Sequence, residues 1–373
     1  MIKAILFDAI RQNGGSYQMS LNNLISFIDN FKKKKIKYIV LTHKKNLDLD
    51  KLKINYEIVN LTTWDYIFVF LNNLFFINKI LRFLNIRSSF EKKLLKLKIK
   101  LLIFFFISWK SFLLKRIYFT STVLDTCHID YYGKKKFKEI SIWVILFREY
   151  LYKKILPLSY KVITESKDLK KKIIKLYKIK SNAIIPIPNL PSILLKNKIK
   201  NYKIKNIRKK YDIKNKFYLY PAQFWEHKNH QIIIECVKKL KKKNKDINFI
   251  FCGKDKGNLN LILKKISEYN IEKNIKIIGY IKDNELYHLY KMSEGLVMPS
   301  YFGPTNIPPV EAWHFNIPVI YSSVNSKHGL NAAIYFNPNS SSQLIKCLSK
   351  LENKRFKNQL ISKGKKRLIS LKK

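Results

Sequence analysis

The sequence predicts an α/β fold of two Rossmann-like lobes. Short apolar runs of strand length alternate with longer segments of helical periodicity, as in βαβ units on a parallel sheet. The 373 residues and 47% hydrophobic composition suffice for two cores of about 150–200 residues each. The alternation restarts at Phe217, after a Lys, Asn, Ile and Tyr segment without a clear period. We therefore predict lobes at 1–195 and 217–350, a linker at 196–216 and a C-terminal helix within 351–373.

The first lobe is predicted to open with a strand at Lys3–Phe7 and a helix at Tyr17–Phe31. The connection between them contains Gly14 and Gly15, and glycines at such a turn let a ligand approach the backbone closely. A tight turn without a ligand explains them equally well. The Asp48-Leu49-Asp50 triplet has the spacing of a metal-binding motif, but its polar, lysine-flanked context favours a plain connection.

Residues 64–119 carry apolar stretches, Tyr66–Leu84 and Leu94–Phe119, that lysines and arginines interrupt. Core helices explain most of this pattern, and an interfacial helix with snorkelling lysines explains the rest about as well. The run Leu101–Trp109 is apolar for only nine residues, whereas a membrane-spanning helix needs about 20. We therefore expect no transmembrane segment.

The net charge of +49 is spread along the whole chain, and many lysines adjoin Asn and Ile. These three residues share A/T-rich codons, so a solvated surface shaped by codon bias is the simplest interpretation. Attraction to an anionic membrane face is the second. The even spread argues against a dedicated nucleic-acid surface. The four cysteines have no CxxC spacing, which fits a reducing cytosol and no zinc site.

A polar tetrad, Asp125 to His128, follows the predicted strand Ile117–Thr122. Open α/β sheets bind ligands beyond the carboxyl ends of their strands. His128 could donate to a sugar hydroxyl or take part in proton transfer there. A single histidine more often has a structural role, so both interpretations stay open.

In the second lobe, the strand Phe217–Tyr220 leads into a loop that contains Gln223 and Lys228. Asn229 can cap the helix that follows, so the Lys228 ammonium and the helix N-terminus would act on the same anion. With 74 basic residues, an ordinary surface lysine is the competing interpretation. The aromatic residues and helix cap around Lys228 are unlike the plain lysine runs elsewhere.

The most informative stretch is Met298–Ser322, which reads as strand end, loop, helix and strand. Gly303, Thr305 and Asn306 lie in the loop, and Pro308 and Pro309 suit the first helical turn. This junction points backbone N–H groups beyond the strand end, where they favour a phosphate. Glu311 lies close enough to accept hydrogen bonds from sugar hydroxyls.

Residues 299–320 resemble the signature of the retaining glycosyltransferases of family 4 (group 1), PSxxEGFGLPxLEAMAxGxPVI. Four groups match in register: Pro299-Ser300, Ile307-Pro308, Glu311-Ala312 and Pro318-Val319-Ile320. The segments 220–230, 125–128 and 331–338 resemble the family's donor-phosphate loop, its aspartate–histidine motif and its GDAALYFDP motif. The resemblance is specific over 217–338, looser over 1–190 and weak between 55 and 115. It implies the GT-B fold, in which two lobes face a central cleft and the C-terminal helix, here within 351–373, crosses back to the first lobe.

The resemblance implies transfer of a sugar from a nucleotide-diphosphate donor with retained configuration. Glu311 and His128 become the candidate catalytic residues, Glu311 by holding the ribose and His128 by touching the donor sugar. Lys228 would bind the diphosphate, and the N–H groups of Thr305, Asn306 and Ile307 would hold phosphate and sugar. Gly14 and Gly15 would lie against the diphosphate or the acceptor. Neither a cofactor nor a catalytic metal is expected.

Three positions depart from the family pattern: Gly303 replaces the first acid, Gln223 replaces a basic donor-loop residue, and Asn316 replaces a glycine. Some members of the family carry an FGPTNxPPxEA form, so Gly303 is compatible with activity. The leading hypothesis is a hexosyltransferase-type enzyme for surface polysaccharide or lipopolysaccharide, cytoplasmic or peripheral at the inner membrane face. Its expected partners are a nucleotide sugar, a saccharide or lipid-linked acceptor and an anionic membrane surface. The alternative is a non-catalytic GT-B scaffold that binds nucleotide without transfer.

Overall fold

A computed structural model describes residues 2–10, 14–132, 140–196, 204–303 and 305–372. The described residues form two compact units, and the segment Ile142–Ile187 belongs to the first together with the N-terminal region. The second unit contains the described residues from Pro188 onwards. Each unit holds one parallel sheet with helices around it, which confirms the predicted α/β fold.

The first sheet has the order β3-β2-β1-β4-β5-β6-β7, and its described ladders are all parallel. Its strands are β1 Ile2–Leu6, β2 Tyr38–Thr42, β3 Glu57–Ile58, β4 Ile99–Phe104, β5 Tyr118–Val123, β6 Lys161–Thr164 and β7 Ile184–Pro186. Its helices are α1 Gly15–Lys33, α2 Leu47–Lys51, α3 Thr63–Asn73, α4 Phe75–Phe83, α5 Ser89–Lys96, α6 Cys127–Tyr132, α7 Ile142–Ile155 and α8 Lys167–Tyr177. The strands are added toward one edge of the sheet up to β3 and toward the other edge from β4 onwards, so the strand order switches between β1 and β4.

The second sheet has the order β10-β9-β8-β11-β12-β13 and is also parallel. Its strands are β8 Tyr218–Pro221, β9 Phe249–Cys252, β10 Ile275–Ile277, β11 Gly295–Met298, β12 Val319–Ser322 and β13 Ile334–Phe336. Its helices are α9 Ile193–Lys196, α10 Ile204–Lys210, α11 His230–Lys241, α12 Leu259–Glu268, α13 Asp283–Met292, α14 Ile307–His314, α15 Ser326–Gly329, α16 Ser341–Glu352 and α17 Lys354–Lys372. The order reverses between β8 and β11, and such switch points are where open sheets bind ligands.

The segment predicted as a linker, 196–216, differs in part from the structure. Helix α10 lies inside it, with Ile207 fully buried and Ile213 nearly so in the core of the second unit. The repeated lysines of this helix hide its few apolar positions, which explains why no period is visible in the sequence. The described part of this segment, from Ile204 onwards, therefore contributes to the second unit.

The C-terminal helix α17 packs against α14, α16 and the turn Leu330–Ala332, all in its own unit. Gly364 marks the closest point, since a Cβ atom there would lie 2.6 Å from Cδ1 of Trp313. The predicted crossing of this segment to the first lobe stays a prediction.

The segment 64–119, least informative in the sequence, forms α3, α4, α5, β4 and the 3-10 turn Trp109–Leu113. Among the described residues, no single helix is long and apolar enough to cross a bilayer. Taken together, α3 and residues Phe76–Phe83 pass the same test of length and composition, but the pair is bent by 119°.

Candidate functional site

Two loops meet at the switch point of the second sheet, one after β8 and one after β11. The Tyr301 N–H donates to the His227 carbonyl oxygen across 2.9 Å and joins the two loops directly. The Asn229 amide donates to the carbonyl oxygens of Pro299, at 3.2 Å, and Pro338, at 2.7 Å. Asn229 itself is buried, so it fixes three loops around one buried amide. These bonds place Lys228 beside the loop that leads into α14.

Lys228 ends a short 3-10 turn, Glu226–Lys228, directly before α11. The Tyr220 hydroxyl donates to the Lys228 carbonyl oxygen across 2.5 Å. Asn229 adopts the left-handed conformation, with φ 58° and ψ 43°, and begins α11 as its N-cap residue. Such geometry suits asparagine. The Lys228 side chain is half-buried and starts from a backbone fixed on both sides.

Gln223 lies earlier in the same loop, where its side-chain oxygen accepts a hydrogen bond from the indole N–H of Trp225 at 3.0 Å. Close packing fixes the backbone here, because a Cβ atom on Gly253 would overlap the Ala222 carbonyl oxygen at 2.2 Å. Gln223 is thus held against the loop by a neighbour in sequence. Its role in donor binding stays a prediction.

Glu311 lies in the second turn of α14 and is 2% exposed. The Tyr290 hydroxyl donates to its Oε2 atom across 2.8 Å. Its Oε1 atom is buried without a hydrogen bond from any described residue, although the Ser192 backbone N–H lies close enough to favour the ionised form. Burial dominates and raises the pKa of Glu311 to about 7. The Oε1 atom of the carboxylate can therefore accept a hydrogen bond from a ligand.

The start of α14 limits which backbone groups can meet an anion. Pro308 and Pro309 carry no N–H, so the first-turn donors are those of Ile307 and the loop before it. The Asn306 side chain does not cap the helix and instead donates to the Tyr321 hydroxyl oxygen across 2.7 Å. That oxygen also lies 3.2 Å from Nδ1 of His328. The pKa of His328 falls to about 3 through burial, so its ring is neutral.

Gly303 has φ +109°, a conformation that side-chain-bearing residues rarely adopt. Its carbonyl oxygen accepts a hydrogen bond from the Asn325 side chain. A Cβ atom at this position would lie 3.2 Å from the Asn306 side-chain oxygen. The family pattern has an acid at this position, whereas this chain has Gly303, whose backbone conformation disfavours any side chain.

Three contributors to this site were not predicted from the sequence. Asn189 donates from its amide to the Thr305 hydroxyl oxygen across 3.0 Å, and Ser192 lies near Glu311. Both follow β7, and no sequence motif marks either residue. Tyr290, on α13, had no distinguishing sequence context. Asn189 comes shortly after a strand, where open α/β sheets bind ligands, and this position is the sequence signal that could have identified it.

His128 lies in the first unit, on α6, and is 1% exposed. Its Nε2 atom lies 3.0 Å from Glu149 Oε2, and Glu149 also accepts from the Tyr177 hydroxyl at 2.8 Å. Burial, followed by the nearby Arg148 charge, lowers the pKa of His128. Its Nδ1 atom is buried without a hydrogen bond from the described residues. A neutral ring that donates through Nε2–H would carry its lone pair on Nδ1.

Asp125, three residues before His128, pairs with Arg148 at 2.7 Å. The Cys127 N–H donates to the same carboxylate across 2.8 Å. Together these partners outweigh the opposing effect of burial, and the pKa of Asp125 is lowered. The aspartate–histidine motif is therefore part of one ordered polar cluster at the carboxyl end of β5.

Gly14 and Gly15 begin α1 of the first unit. Gly14 is the N-cap residue, with φ 61° and ψ −117°, a combination open to glycine. Asp8, beyond the end of β1, pairs with Lys110 at 2.6 Å. The contact of Gly14 and Gly15 with diphosphate or acceptor stays a prediction.

Asp48 and Asp50 lie on α2 and accept hydrogen bonds from the hydroxyls of Tyr17 and Tyr56 respectively. Residues 2–10, 14–132, 140–196, 204–303 and 305–372 contain no group of three or more His, Cys, Asp or Glu placed to hold a metal ion. Both carboxylates therefore have structural hydrogen-bond roles.

The comparisons with known proteins give a family match in the second half of the chain. Residues 203–367 match the family model for glycosyl transferases group 1. The O-antigen chain mannosyltransferase RfbU of Salmonella typhimurium is 28% identical over 194 residues, 51% of this chain and 50% of that protein. The capsular polysaccharide biosynthesis glycosyltransferase CapH of Staphylococcus aureus is 31% identical over 143 residues, 37% of this chain and 39% of that protein. The matches thus span half or less of these relatives.

Solved structures match over nearly the whole chain. A glycosyltransferase from Rickettsia africae superposes with a TM-score of 0.71 at 18% identity and covers 99% of this chain and 93% of its own. Anabaena HepE in complex with UDP-glucose gives 0.68 at 14% identity, covering 100% and 97%. At these identities the likeness shows the fold, and the expected GT-B fold is confirmed.

Proposed function

We propose that this chain transfers a sugar from a nucleotide-diphosphate donor to a growing surface saccharide, because residues 203–367 match the family model for glycosyl transferases group 1. The observation that carries the proposal is the buried Glu311 carboxylate, whose Oε1 atom lacks a donor among the described residues. A buried acceptor without a donor is costly. Two ribose hydroxyls are donors of the right kind, and an ionised carboxylate can accept both.

The diphosphate lies, in this proposal, between Lys228 and the start of α14. Bonds from Asn229 and Tyr301 hold the two loops together and so set the lysine beside that helix end. The ammonium, the helix dipole and the N–H groups of Thr305, Asn306 and Ile307 then act on one anion. A preorganised positive site of this kind favours the diphosphate as a leaving group.

The reaction breaks the bond between the anomeric carbon and the diphosphate oxygen and forms one to an acceptor hydroxyl. The hydroxyl proton leaves with the diphosphate or passes to solvent. We propose retention of the anomeric configuration and no catalytic metal, since Lys228 and the helix end supply the positive charge. We also propose His128 and Gly14-Gly15, all in the first unit, as binding residues for a sugar or phosphate group, since Nδ1 of His128 has no hydrogen bond from the described residues.

The acceptor class rests on the relatives. RfbU is an O-antigen chain mannosyltransferase, and CapH is a glycosyltransferase of capsular polysaccharide biosynthesis. We infer that the acceptor here is likewise a surface polysaccharide or lipopolysaccharide, made on the cytoplasmic side of a membrane. We propose a hexose as the transferred sugar. The crystal structure of HepE contains UDP-glucose, which supports a nucleotide sugar as the donor.

A thermal-shift screen of UDP, GDP, ADP and their sugars tests the proposal. We expect one nucleotide series to raise the melting temperature of the wild type, and Glu311→Ala and Lys228→Ala to remove most of that rise. The matched controls Glu268→Ala and Lys242→Ala change exposed side chains of the same unit and should keep it. No shift with any nucleotide would overturn the transferase assignment, and shifts that survive both substitutions would overturn the site.

A second candidate, a nucleotide-binding scaffold without transfer, is favoured by Gly303 and Gln223, which replace an acid and a base. Release of nucleotide diphosphate in the presence of saccharide acceptors separates the two functions. We expect turnover that EDTA does not reduce. Binding without turnover on any lipid-linked or free saccharide acceptor would favour the scaffold.

A further inference from the structure

Three helices of the first unit present large apolar side chains to solvent. On α4, Phe76, Ile80 and Phe83 follow one another at helical spacing and are 77%, 54% and 88% exposed. The opposite side of this helix carries Leu81, which is buried in the core. The helix therefore presents apolar side chains both to the core and to solvent.

The neighbouring helices continue this exposure. Phe70 of α3 is 66% exposed, and Tyr66 and Ile67 one turn earlier are also exposed. On α7, Trp143 is 75% and Phe147 57% exposed. Exposed apolar residues scattered singly need no explanation, but a contiguous set on neighbouring helices marks an interaction surface.

Hydrogen bonds hold the three helices in one arrangement. The Tyr150 hydroxyl of α7 donates to the Asn73 side-chain oxygen at the end of α3, across 2.7 Å. Asn72 donates to the Phe112 carbonyl oxygen at 3.0 Å, and Asn78 of α4 donates to the Asn72 carbonyl oxygen at 2.8 Å. Both α3 and α7 also pack on the turn Trp109–Leu113. The bend between α3 and α4 is thus fixed by side-chain amides.

The charges beside these side chains are positive. Lys79 and Arg82 lie on α4 among its exposed apolar residues, and that helix contains no acid. The one acid of α3, Asp65, is buried and caps its own helix. On α7, Glu149 is held by His128 and Lys153. The three helices thus combine exposed aromatic and aliphatic groups with cations, and both of their acids, Asp65 and Glu149, already have partners. This composition is typical of an interfacial lipid contact.

We propose that the outward faces of α3, α4 and α7 form one docking surface for an anionic lipid bilayer. The apolar side chains enter the boundary between headgroups and acyl chains, while Lys79 and Arg82 contact lipid phosphates. Because the net charge is +49, an anionic partner is favoured from a distance, and the apolar residues then select a membrane over a polyanion. This surface deepens the proposed function by naming the membrane at which a lipid-linked acceptor would be met.

Sedimentation with vesicles tests the surface without any nucleotide. We expect wild-type protein to bind vesicles that contain phosphatidylglycerol much better than pure phosphatidylcholine. Ile80→Ser/Phe83→Ser should weaken binding at least about tenfold, since two large apolar groups are lost. The control Leu261→Ser/Leu263→Ser removes two exposed apolar side chains of α12 in the second unit, 43% and 47% exposed, and should leave binding unchanged.

Charge reversal provides the second arm. Lys79→Glu/Arg82→Glu should reduce binding about tenfold on the anionic vesicles, and Lys242→Glu/Lys243→Glu, with the same charge change, should do so far less. Equal losses from both pairs, or full binding by Ile80→Ser/Phe83→Ser, would overturn the proposal in favour of unspecific attraction. Protein that resists alkaline carbonate extraction would overturn it in favour of insertion.

The nucleotide thermal shift of each variant reports separately on the second unit. Variants with a normal shift and normal circular dichroism are folded, so a loss of vesicle binding then belongs to the surface. Wild-type protein that responds to nucleotide but does not bind vesicles would contradict this inference alone. Protein that binds vesicles but does not respond to nucleotide would contradict the proposed donor site alone.

Discussion

At the scale of single residues, Glu311 couples stability to nucleotide binding. Its folded-state pKa of about 7 lies above the ordinary value of 4.5 because burial disfavours the charge. The folded protein therefore binds this proton more tightly than the unfolded chain. The resulting stabilisation is fully present at low pH, declines as pH rises from about 4.5, and is lost above about 7.

Glu311→Gln should therefore stabilise the nucleotide-free protein at pH 8 by up to about 3 kcal/mol and change it little at pH 5. The glutamine keeps a donor and an acceptor without the buried charge. Denaturant unfolding at both pH values measures the difference. A variant less stable than wild type at pH 8 would contradict the pKa assignment.

The same titration predicts the pH dependence of donor binding. Ribose hydroxyls donate to the ionised carboxylate, so affinity for the preferred nucleotide sugar should rise about tenfold from pH 6 to pH 8 and then level. Calorimetric titration of wild type measures this slope. Glu311→Gln should bind weakly with a flat profile, and a rise that persists in this variant would assign the proton to another group.

Gly303 yields a third prediction, because placing the family's acid at this position should not restore the contact that the acid makes in the family. With φ +109°, a side chain at this position costs about 1–3 kcal/mol. Gly303→Glu should thus lower both the melting temperature and the rate of sugar transfer. Gly303→Ala separates strain from charge and should cost similar stability. Faster transfer by Gly303→Glu would show that the acid alone was missing.

The residues that sequence alone could identify at this scale share a local cause. Glu311 and the stretch Thr305–Ile307 follow a strand and open a helix, and turn chemistry records that geometry over a few neighbouring residues. Tyr290 and Asn189 reach the same site from distant parts of the chain. Their roles depend on which loops meet, which no local pattern encodes.

At the scale of elements, the alternation of strands and helices was predictable because each strand is a short buried run between breakers. Helix α10 is not visible in the sequence because Ile207 is buried among basic residues while Ile204 is 44% exposed, so no apolar period appears. The exposed apolar faces of α3 and α4 were equally hard to interpret, since an interfacial helix and a core helix share composition. Burial on the sheet, and not periodicity, distinguishes them.

Helix α17 offers a test of packing in which the usual sign reverses. Replacing a mid-helix glycine with alanine normally stabilises by about 1 kcal/mol. At Gly364 the new Cβ would overlap the ring of Trp313, which is 2% exposed and bonded through Nε1 to the Ala332 carbonyl oxygen at 3.0 Å. Gly364→Ala should therefore destabilise by about 1–3 kcal/mol.

Thermal unfolding measures that change, and Ser362→Ala, exposed on the same helix, is the control that should gain a few tenths of a kcal/mol. Since Trp313 lies two residues beyond Glu311 on α14, Gly364→Ala should also weaken donor binding. A variant as stable as Ser362→Ala would show that α14 and α17 move apart freely.

At the scale of the whole molecule, 74 basic residues oppose 25 acidic ones. Such a chain binds any polyanion through released counterions, and that attraction carries no sequence information. The donor site is different in kind, because it depends on one lysine placed by Asn229 and on one buried acid. Salt therefore separates the two forms of anion binding.

Duplex DNA should bind at 50 mM salt and lose about 10³–10⁵ in affinity by 200 mM, as expected for several phosphate contacts. Lys228→Ala removes one charge of many, so DNA binding should stay unchanged while the nucleotide-sugar response disappears. Filter binding and thermal shift on the same preparations measure both. DNA affinity that survives at 200 mM and falls with Lys228→Ala would instead make the loops after β8 and β11 a nucleic-acid site, because a diffuse charge cannot respond to one lysine in 74 basic residues.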